Sequence, residues 1–233
     1  MEASKQTHWI PLADLMTGLM MIFMLITAIY ISKVDPTTTL VLDEYRQVRE
    51  DMRMALQQEF SKDFKQWNAD LLGNMTIRFN NPNVQFASGS AELRPEFQQI
   101  LKDFIPRYVK IIRSEKFKDA IKEIRIEGYT SKSWSGVSSQ DAYFLNMELS
   151  QQRTRSALKF IMGMPEFQND AQWFIDHITA NGLSYSHPLI ANPTSTQEDE
   201  KNQRVEFRIV TNAADRFEHA VNKFAEKKQS NSQ

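Results

Sequence analysis

One long apolar stretch near the N-terminus constrains this chain more than any other feature. Residues 9–32 read WIPLADLMTGLMMIFMLITAIYIS and contain a single charged residue, Asp14. As a helix these residues would extend roughly 36 Å, which exceeds the hydrocarbon core of a bilayer at about 30 Å. Trp9 and Tyr30 stand at the two ends, where amphipathic rings favour the membrane interface. We therefore predict a single transmembrane helix over residues 9–32.

Two other interpretations of this stretch fit less well. A secretory signal peptide has a shorter apolar core and a small-residue cleavage site after it. A buried helix of a globular domain rarely keeps an apolar run as long as that from Leu15 to Ile31. The arm before the helix, residues 1–8, is very short, and the remainder of the chain is large. The simplest arrangement places this arm on the cytoplasmic side and the large domain outside.

Asp14 is the most informative residue of the predicted membrane helix. A carboxylate within a bilayer is costly, so its presence indicates a function such as carrying an ion. Helical spacing places Asp14 on one stripe with small and polar residues, Thr17 and Gly18 among them, which favours a packed helix face. The alternative is that Asp14, only five residues after Trp9, reaches the headgroups. We predict Asp14 and Thr17 as ion-carrying residues.

A linker helix is predicted over residues 33–72. The segment from Leu40 to Leu72 contains neither Pro nor Gly and consists of good helix formers. Its apolar residues recur in steps of four and three, as in a heptad seam, and they are Val41, Tyr45, Val48, Met52 and Ala55. This pattern favours pairing with a second helix in a homodimer. The alternative is an amphipathic helix that lies on its own domain.

The remainder is predicted as a domain over residues 73–212, followed by a tail over 213–233. Residues 122–129 and 204–211 alternate between apolar and polar side chains as strands do, and residues 75–79 and 84–86 are shorter strand-like runs. Residues 141–163 have helical periodicity, and a Ser- and Gly-rich loop over 130–139 precedes them. The order of elements predicts an α+β fold, a sandwich of a mixed sheet with helices on one face.

Composition excludes several classes of function. The chain of 233 residues has no Cys, so disulfide scaffolds, thiolate metal sites and cysteine nucleophiles are excluded. A net charge of −1 argues against a nucleic-acid partner. The four His are far apart, without the spacing of a zinc site, and no G-x-S-x-G motif is present. We expect no metal, no cofactor and no enzymatic activity, which disfavours the alternative of a wall amidase.

Four motifs now point to a family. FASGSAEL (86–93), IRIEGYTS (124–131), LNMELSQQRTRSAL (145–158) and NQRVEFRI (202–209) follow, in order, the landmarks of OmpA-like peptidoglycan-binding domains. The N-terminal LADLMTGLMMIFML resembles the helix of MotB-type stator proteins, which carries one membrane acid. Within that group, PLADLMTGL and the compact linker look most similar to the B subunits of Zorya anti-phage defence systems.

The resemblance implies a specific function. Such proteins form homodimers inside a pentamer of a multi-helix A subunit, in the bacterial inner membrane with the C-terminal domain in the periplasm. Their membrane acid, matched here by Asp14, gates a flow of protons or sodium ions that drives rotation. Asn146, Leu149 and Arg153 match the helix that binds peptidoglycan, and the guanidinium fork of Arg153 suits a stem-peptide carboxylate. The alternative is that Arg153 forms a surface ion pair with an acid such as Asp141 or Glu148 and has only a structural role.

The chain departs from the family pattern at one position. The family has Thr-Asp at the end of the strand, and the Asp engages the amine of diaminopimelate, whereas this chain has Thr130 and Ser131. A hydroxyl cannot supply that charge, and Asp141 is a candidate replacement. Two further alternatives for the whole chain are a flagellar-type stator and a passive anchor between membrane and wall. A passive anchor has no use for Asp14.

Overall fold

The computed structural model describes residues 9–32, 36–132, 134, 136–216, 218–219 and 222. The chain divides into two compact units, of which the larger is Arg46–Arg216. The helices and strands of the described residues are, in chain order, α1 (Trp9–Ser32), α2 (Pro36–Phe60), α3 (Phe64–Trp67), β1 (Ala69–Leu71), β2 (Thr76–Phe79), α4 (Pro82–Gln85), α5 (Pro95–Ile112), β3 (Ile121–Tyr129), α6 (Ser139–Met162), α7 (Ala171–His177), β4 (Ile178–Gly182), α8 (Thr196–Glu200) and β5 (Arg204–Thr211).

Helix α1 spans the residues predicted for it, and its side chains are described for residues 13–29. Large apolar side chains along it, such as Leu15, Met21 and Phe23, are more than half exposed. Within the described residues, no helix combines the length and the apolar character that crossing a membrane requires. The membrane span therefore stays a prediction. The predicted arm, residues 1–8, and most of the tail, residues 213–233, lie outside the described residues.

The linker differs from its prediction. Helix α2 ends at Phe60, and Asn68, in the left-handed conformation with φ of 48°, ends α3 so that β1 can pair with β2. Met52, Leu56 and Phe60 are fully buried in the core of the larger unit. The second half of the seam thus faces its own domain, because a coiled-coil seam and a core-facing stripe share the same spacing. The side chain of Val41 lies outside the described residues.

The five-stranded sheet has the order β1-β2-β5-β3-β4, and only β3 and β4 pair in parallel. The predicted strands 122–129 and 204–211 are β3 and β5, which pair with Ile126 opposite Phe207. The predicted helix 141–163 is α6, which begins slightly earlier because Ser138 caps it. The predicted strand 84–86 is wrong: Pro82 starts the single helical turn α4, and the buried Gln85 amide donates to the carbonyl of Phe79.

One face of the sheet carries the apolar core. Ile124 and Ile126 of β3 and Phe207 of β5 alternate inward and are all but inaccessible to solvent. Phe104 of α5 contacts Phe207 at a ring distance of 5.2 Å, and α6 packs beside α5 against β3 and β4. The predicted mixed sheet with helices on one face is confirmed.

The opposite face of the sheet holds a buried network of charges. Arg204 of β5 donates from Nε to Oε1 of Glu206 at 2.7 Å, and its guanidinium lies 3.5 Å from the ring centre of Tyr129. Arg78 of β2 donates to the same carboxylate at 2.8 Å. Burial alone would raise the pKa of Glu206, but the hydrogen bonds and charges of Arg204 and Arg78 outweigh it and hold that pKa below its usual value.

Candidate functional site

The five residues predicted for peptidoglycan binding line a single cleft of about 180 Å³. Thr130 and Ser131 follow β3, whereas Asn146, Leu149 and Arg153 project from α6. The other residues that line the cleft are Ser88, Gly89, Trp134 and Gln203. The structure thus brings together residues from four separate parts of the sequence, while their binding role stays a prediction.

Two glycines let α6 lie close against the sheet, and this contact sets the position of the cleft wall. A Cβ atom at Gly182 of β4 would clash with the backbone nitrogen of Gln151, and one at Gly128 of β3 would lie 2.6 Å from Cγ2 of Thr154. Real Cβ atoms do not approach other atoms so closely. The side chains of α6 can therefore reach the carboxyl end of β3, where the cleft opens.

Arg153 is the central charged group of the cleft. Its side chain is only 4% exposed, and it donates to the carbonyl of Ser90 at 2.9 Å, to Oε1 of Gln203 at 3.1 Å and to the carbonyl of Ala87 at 3.2 Å. The guanidinium also lies over the ring of Phe86, 5.0 Å from its centre. All of these partners are uncharged. Burial without an acid lowers the pKa of Arg153 to about 10.

The alternative in which Arg153 pairs with a surface acid is wrong. Asp141 instead accepts a hydrogen bond from the hydroxyl of Ser138 at 2.7 Å, and Glu148 accepts one from the amide of Gln152 at 3.1 Å. Asp141 is occupied at the start of α6, because a helix N-terminus favours a carboxylate there. Asp141 is also absent from the residues that line the cleft, so it does not replace the missing family acid.

Two buried polar groups in the cleft have no partner among the described residues. They are the Nδ2 amide of Asn146 and the Oγ1 hydroxyl of Thr130, in side chains that are each about 2% exposed. A buried polar group without a hydrogen bond costs about 1–3 kcal/mol, and most native structures avoid it. Both groups line the same cleft as the buried guanidinium of Arg153.

None of the cleft-lining residues in the described part of the chain carries a carboxylate. Ser131 stands at the position of the family acid, and its hydroxyl accepts a hydrogen bond from Nε2 of Gln203 at 3.3 Å. The nearby buried Asp199 accepts a hydrogen bond from the backbone nitrogen of Lys132 at 2.9 Å. The cleft therefore has a positive charge and hydrogen-bond donors, without a matching negative charge.

Sequence reasoning missed Gln203 and the turn that holds Arg153. Gln203 donates to Ser131 and accepts from Arg153, so it links the two predicted halves of the cleft. The carbonyls of Ala87 and Ser90 lie in the turn around Gly89, whose φ of +67° favours glycine. These positions fall within the motifs FASGSAEL and NQRVEFRI, but spacing alone gives no reason to single them out.

Asp14 and Thr17 lie on α1, and both are exposed in this chain. The hydroxyl of Thr17 donates to the carbonyl of Ala13 at 2.7 Å, which uses its only proton. The Thr17 oxygen can therefore act toward an ion or a protonated acid only as an acceptor. The neighbouring Gly18 leaves open space where a side chain would stand.

Metal-binding groups do not assemble in the described part of the chain. No cluster of three or more His, Asp or Glu side chains there could hold a metal ion. His177 instead stacks on Trp173 at a ring distance of 5.0 Å, as part of α7.

Comparisons with known proteins give one related sequence and several similar structures, and no family model matches the chain. The Zorya protein ZorB of Escherichia coli (Crooks strain) is 38% identical over 211 residues, which cover 88% of each chain. A MotB-like protein from Desulfovibrio vulgaris is 23% identical, with a TM-score of 0.49 over 75% of this chain and 99% of that one. The cell wall anchor of the T6SS from Pseudomonas aeruginosa is 19% identical, with a TM-score of 0.47 over 67% and 96%.

The four motifs in order and the mixed sheet with helices on one face resemble those of MotB-type proteins with an OmpA-like domain. The identity with the Escherichia coli protein is not confined to the four motifs, since it covers 88% of the chain. The chain belongs to the ZorB family of Zorya proteins.

Proposed function

We propose that this chain is the stator B subunit of an ion-driven inner-membrane motor that serves anti-phage defence and is anchored to peptidoglycan. Membership of the ZorB family supports the Zorya assignment over a flagellar-type stator. The partner is then a pentameric multi-helix A subunit of the ZorA or MotA kind, within which two copies of this chain pair. The single transmembrane helix leaves a cytoplasmic N-terminus and a periplasmic C-terminal domain.

The observation that carries the wall-binding part is the buried, acid-free guanidinium of Arg153. A cation in a site with only neutral partners gains most from an anionic ligand, because the ligand restores the charge pair that burial otherwise lacks. Asn146 and Thr130 offer unpartnered polar groups in the same cleft. Leu149 adds an apolar wall. A stem peptide of the cell wall, which ends in carboxylates, matches this chemistry.

The motor part of the proposal depends on Asp14 and Thr17 as ion-carrying residues. The exposed stripe on α1 contains one acid, one hydroxyl oxygen free to accept and the open space beside Gly18. This combination suits a carboxylate that is alternately protonated, or paired with Na⁺, at a helix interface. The apolar side chains that surround the stripe are exposed in the single chain and suit burial in lipid and in an A-subunit ring. Ion flow past Asp14 would then drive rotation of that ring.

The first half of α2 is the remaining candidate for pairing two copies of the chain. Tyr45, which is half-buried, lies within the predicted heptad seam, and its neighbours at 43, 44, 46 and 47 are exposed. The apolar face of the second half of α2 is not available for pairing, since Met52, Leu56 and Phe60 lie in the domain core.

An Asp14→Asn variant distinguishes an ion-driven stator from a passive anchor between membrane and wall. Asn keeps the shape of the side chain and removes its charge, so we expect phage protection to be lost while membrane insertion and wall binding are unchanged. Protection is measured as plating efficiency in cells that carry the complete defence system. Asp176→Asn is the matched control, because it removes an exposed carboxylate from α7 and should retain protection. Full protection by Asp14→Asn would contradict the ion-carrier role.

A further inference from the structure

The groups that line the cleft are complementary to the carboxylate of an amino acid but not to its ammonium group. Arg153 supplies a buried positive charge, and the free Nδ2 of Asn146 can only donate a hydrogen bond. Both therefore suit a carboxylate. An ammonium group forms an ion pair only with a negatively charged acceptor, and the described residues that line the cleft include no Asp or Glu.

Two acids in segments next to those that line the cleft, Asp199 and Asp141, have other hydrogen-bond partners. Asp199 is buried beneath the loop that follows β3, where it accepts from the backbone of Lys132 and contacts the amide of Asn202. Asp141 caps α6 through Ser138. Neither is free to turn toward an ammonium group in the cleft without giving up a hydrogen bond that holds a loop or a helix end.

The position of the family acid is itself occupied by a neutral contact. The hydroxyl of Ser131 is bonded to Gln203, which in turn accepts from Arg153. This chain of contacts orients Gln203 toward the cation of the cleft. It provides no charge with which to hold an amine.

From this arrangement, and building on the wall-binding role proposed above, we infer that the cleft recognises the carboxylate of the diamino acid in a stem peptide and forms no ion pair with the adjacent amine. The cleft then binds stems whose amine is acylated in a cross-link as well as stems whose amine is free. A site of the family pattern, with Asp at position 131, would discriminate between the two. The volume of about 180 Å³ fits the end of one amino acid.

Three synthetic peptides test this inference with the purified full-length chain. All contain diaminopimelate: one with its side-chain amine free, one with that amine acetylated and one with the adjacent carboxylate converted to an amide. Dissociation constants are measured by calorimetry at pH 7. We expect acetylation to change the Kd by less than about threefold, and amidation of the carboxylate to weaken binding by about tenfold or more.

A substitution at position 131 provides the complementary test. Ser131→Asp places a carboxylate in the cleft, so we expect this variant to prefer the free amine over the acetylated one by about tenfold. Ser61→Asp is the matched control: it adds the same charge at an exposed position in the turn after α2, and it should bind both peptides equally. If the Ser131→Asp variant binds the free-amine and acetylated peptides equally, position 131 does not face the ligand amine. This result would overturn the inference.

The remaining outcomes separate this inference from the proposed function. A wild-type preference for the free amine of about tenfold would overturn the inference and leave wall binding intact. Failure of all three peptides to bind at millimolar concentration would overturn both.

Discussion

Two arginines of this domain are buried to the same extent but differ in their partners. Arg153 in the cleft and Arg204 on the polar face of the sheet are each 4% exposed. Arg204 is 2.7 Å from the carboxylate of Glu206, whereas the hydrogen-bond partners of Arg153 are all neutral carbonyl and amide oxygens. Each guanidinium also lies over an aromatic ring, that of Tyr129 for Arg204 and that of Phe86 for Arg153. The charge of Arg204 is thus balanced within the fold. The charge of Arg153 is left for something outside the chain to balance.

The difference follows from where each side chain begins. Arg204 starts β5 directly beside Tyr129 of β3, and Glu206 is the next residue on the same face, so strand geometry brings the pair together. Arg153 extends from α6 toward the turn at Ala87 and Ser90, where the chain presents backbone carbonyls. A buried charge that is only solvated by dipoles is a candidate for ligand binding, and a buried ion pair is a structural feature.

The largest expected effect is on folding, from Arg204→Met. This change leaves Glu206 buried with one less counter-charge and removes the stacking on Tyr129, so we expect the free energy of unfolding to fall by about 3 kcal/mol or more. Urea unfolding of the purified full-length chain, followed by tryptophan fluorescence, measures it. A loss below about 1 kcal/mol would show that Arg78 alone satisfies Glu206.

The second effect is a pH dependence that Glu206 contributes. Because the folded state holds the pKa of Glu206 below its usual value near 4.5, this residue adds stability above that pH, and the added stability is lost as the pH falls through the lower, folded-state pKa. In Glu206→Gln that part of the acid sensitivity is absent. We expect the difference in unfolding free energy between wild type and variant to be largest at about pH 6–7. Below pH 4.5 this difference should decrease by an amount on the order of 1 kcal/mol. A difference that stays constant with pH would contradict the ion pairing.

The smallest expected effect is the stability change caused by Arg153→Met. The substitution removes three hydrogen bonds, but it also removes a buried charge that no acid compensates, so the two contributions largely offset each other. We expect the unfolding free energy to stay within about 1 kcal/mol of wild type. Measured in the same urea assay, a loss as large as that of Arg204→Met would mean that Arg153 is mainly a structural residue.

Much of the fold could be predicted from local pattern. Strands β3 and β5 alternate apolar and polar residues over most of their length, and helix α6 has a cap, an apolar stripe and no breaking residue. The linker was predicted only in part, because Met52 and Leu56 have the spacing of a coiled coil as well as that of a core-facing helix. Only the tertiary structure, in which these side chains pack into the core of their own domain, distinguishes a core-facing helix from a coiled coil.

The site was predictable where its residues share one helix. Asn146, Leu149 and Arg153 lie three and four positions apart, so their common face follows from helical geometry. The neutral partners of Arg153 were not predictable, because Gln203 and the carbonyls of the turn come from loops distant in sequence. The acids close in sequence suggested an ion pair, but Asp141 bonds to Ser138 at the helix cap and Glu148 bonds to Gln152.

Peptidoglycan binding by the Arg153→Ala variant tests most directly whether the cleft around Arg153 is the wall-binding site. The full-length chain is sedimented with purified sacculi, and Arg155→Ala, an exposed arginine two positions along the same helix, serves as the control. We predict that Arg153→Ala binds at least about tenfold more weakly, which corresponds to roughly 1.4 kcal/mol, while Arg155→Ala binds as wild type does. A folded Arg153→Ala variant that sediments with sacculi as the wild type does would contradict the assignment of this cleft.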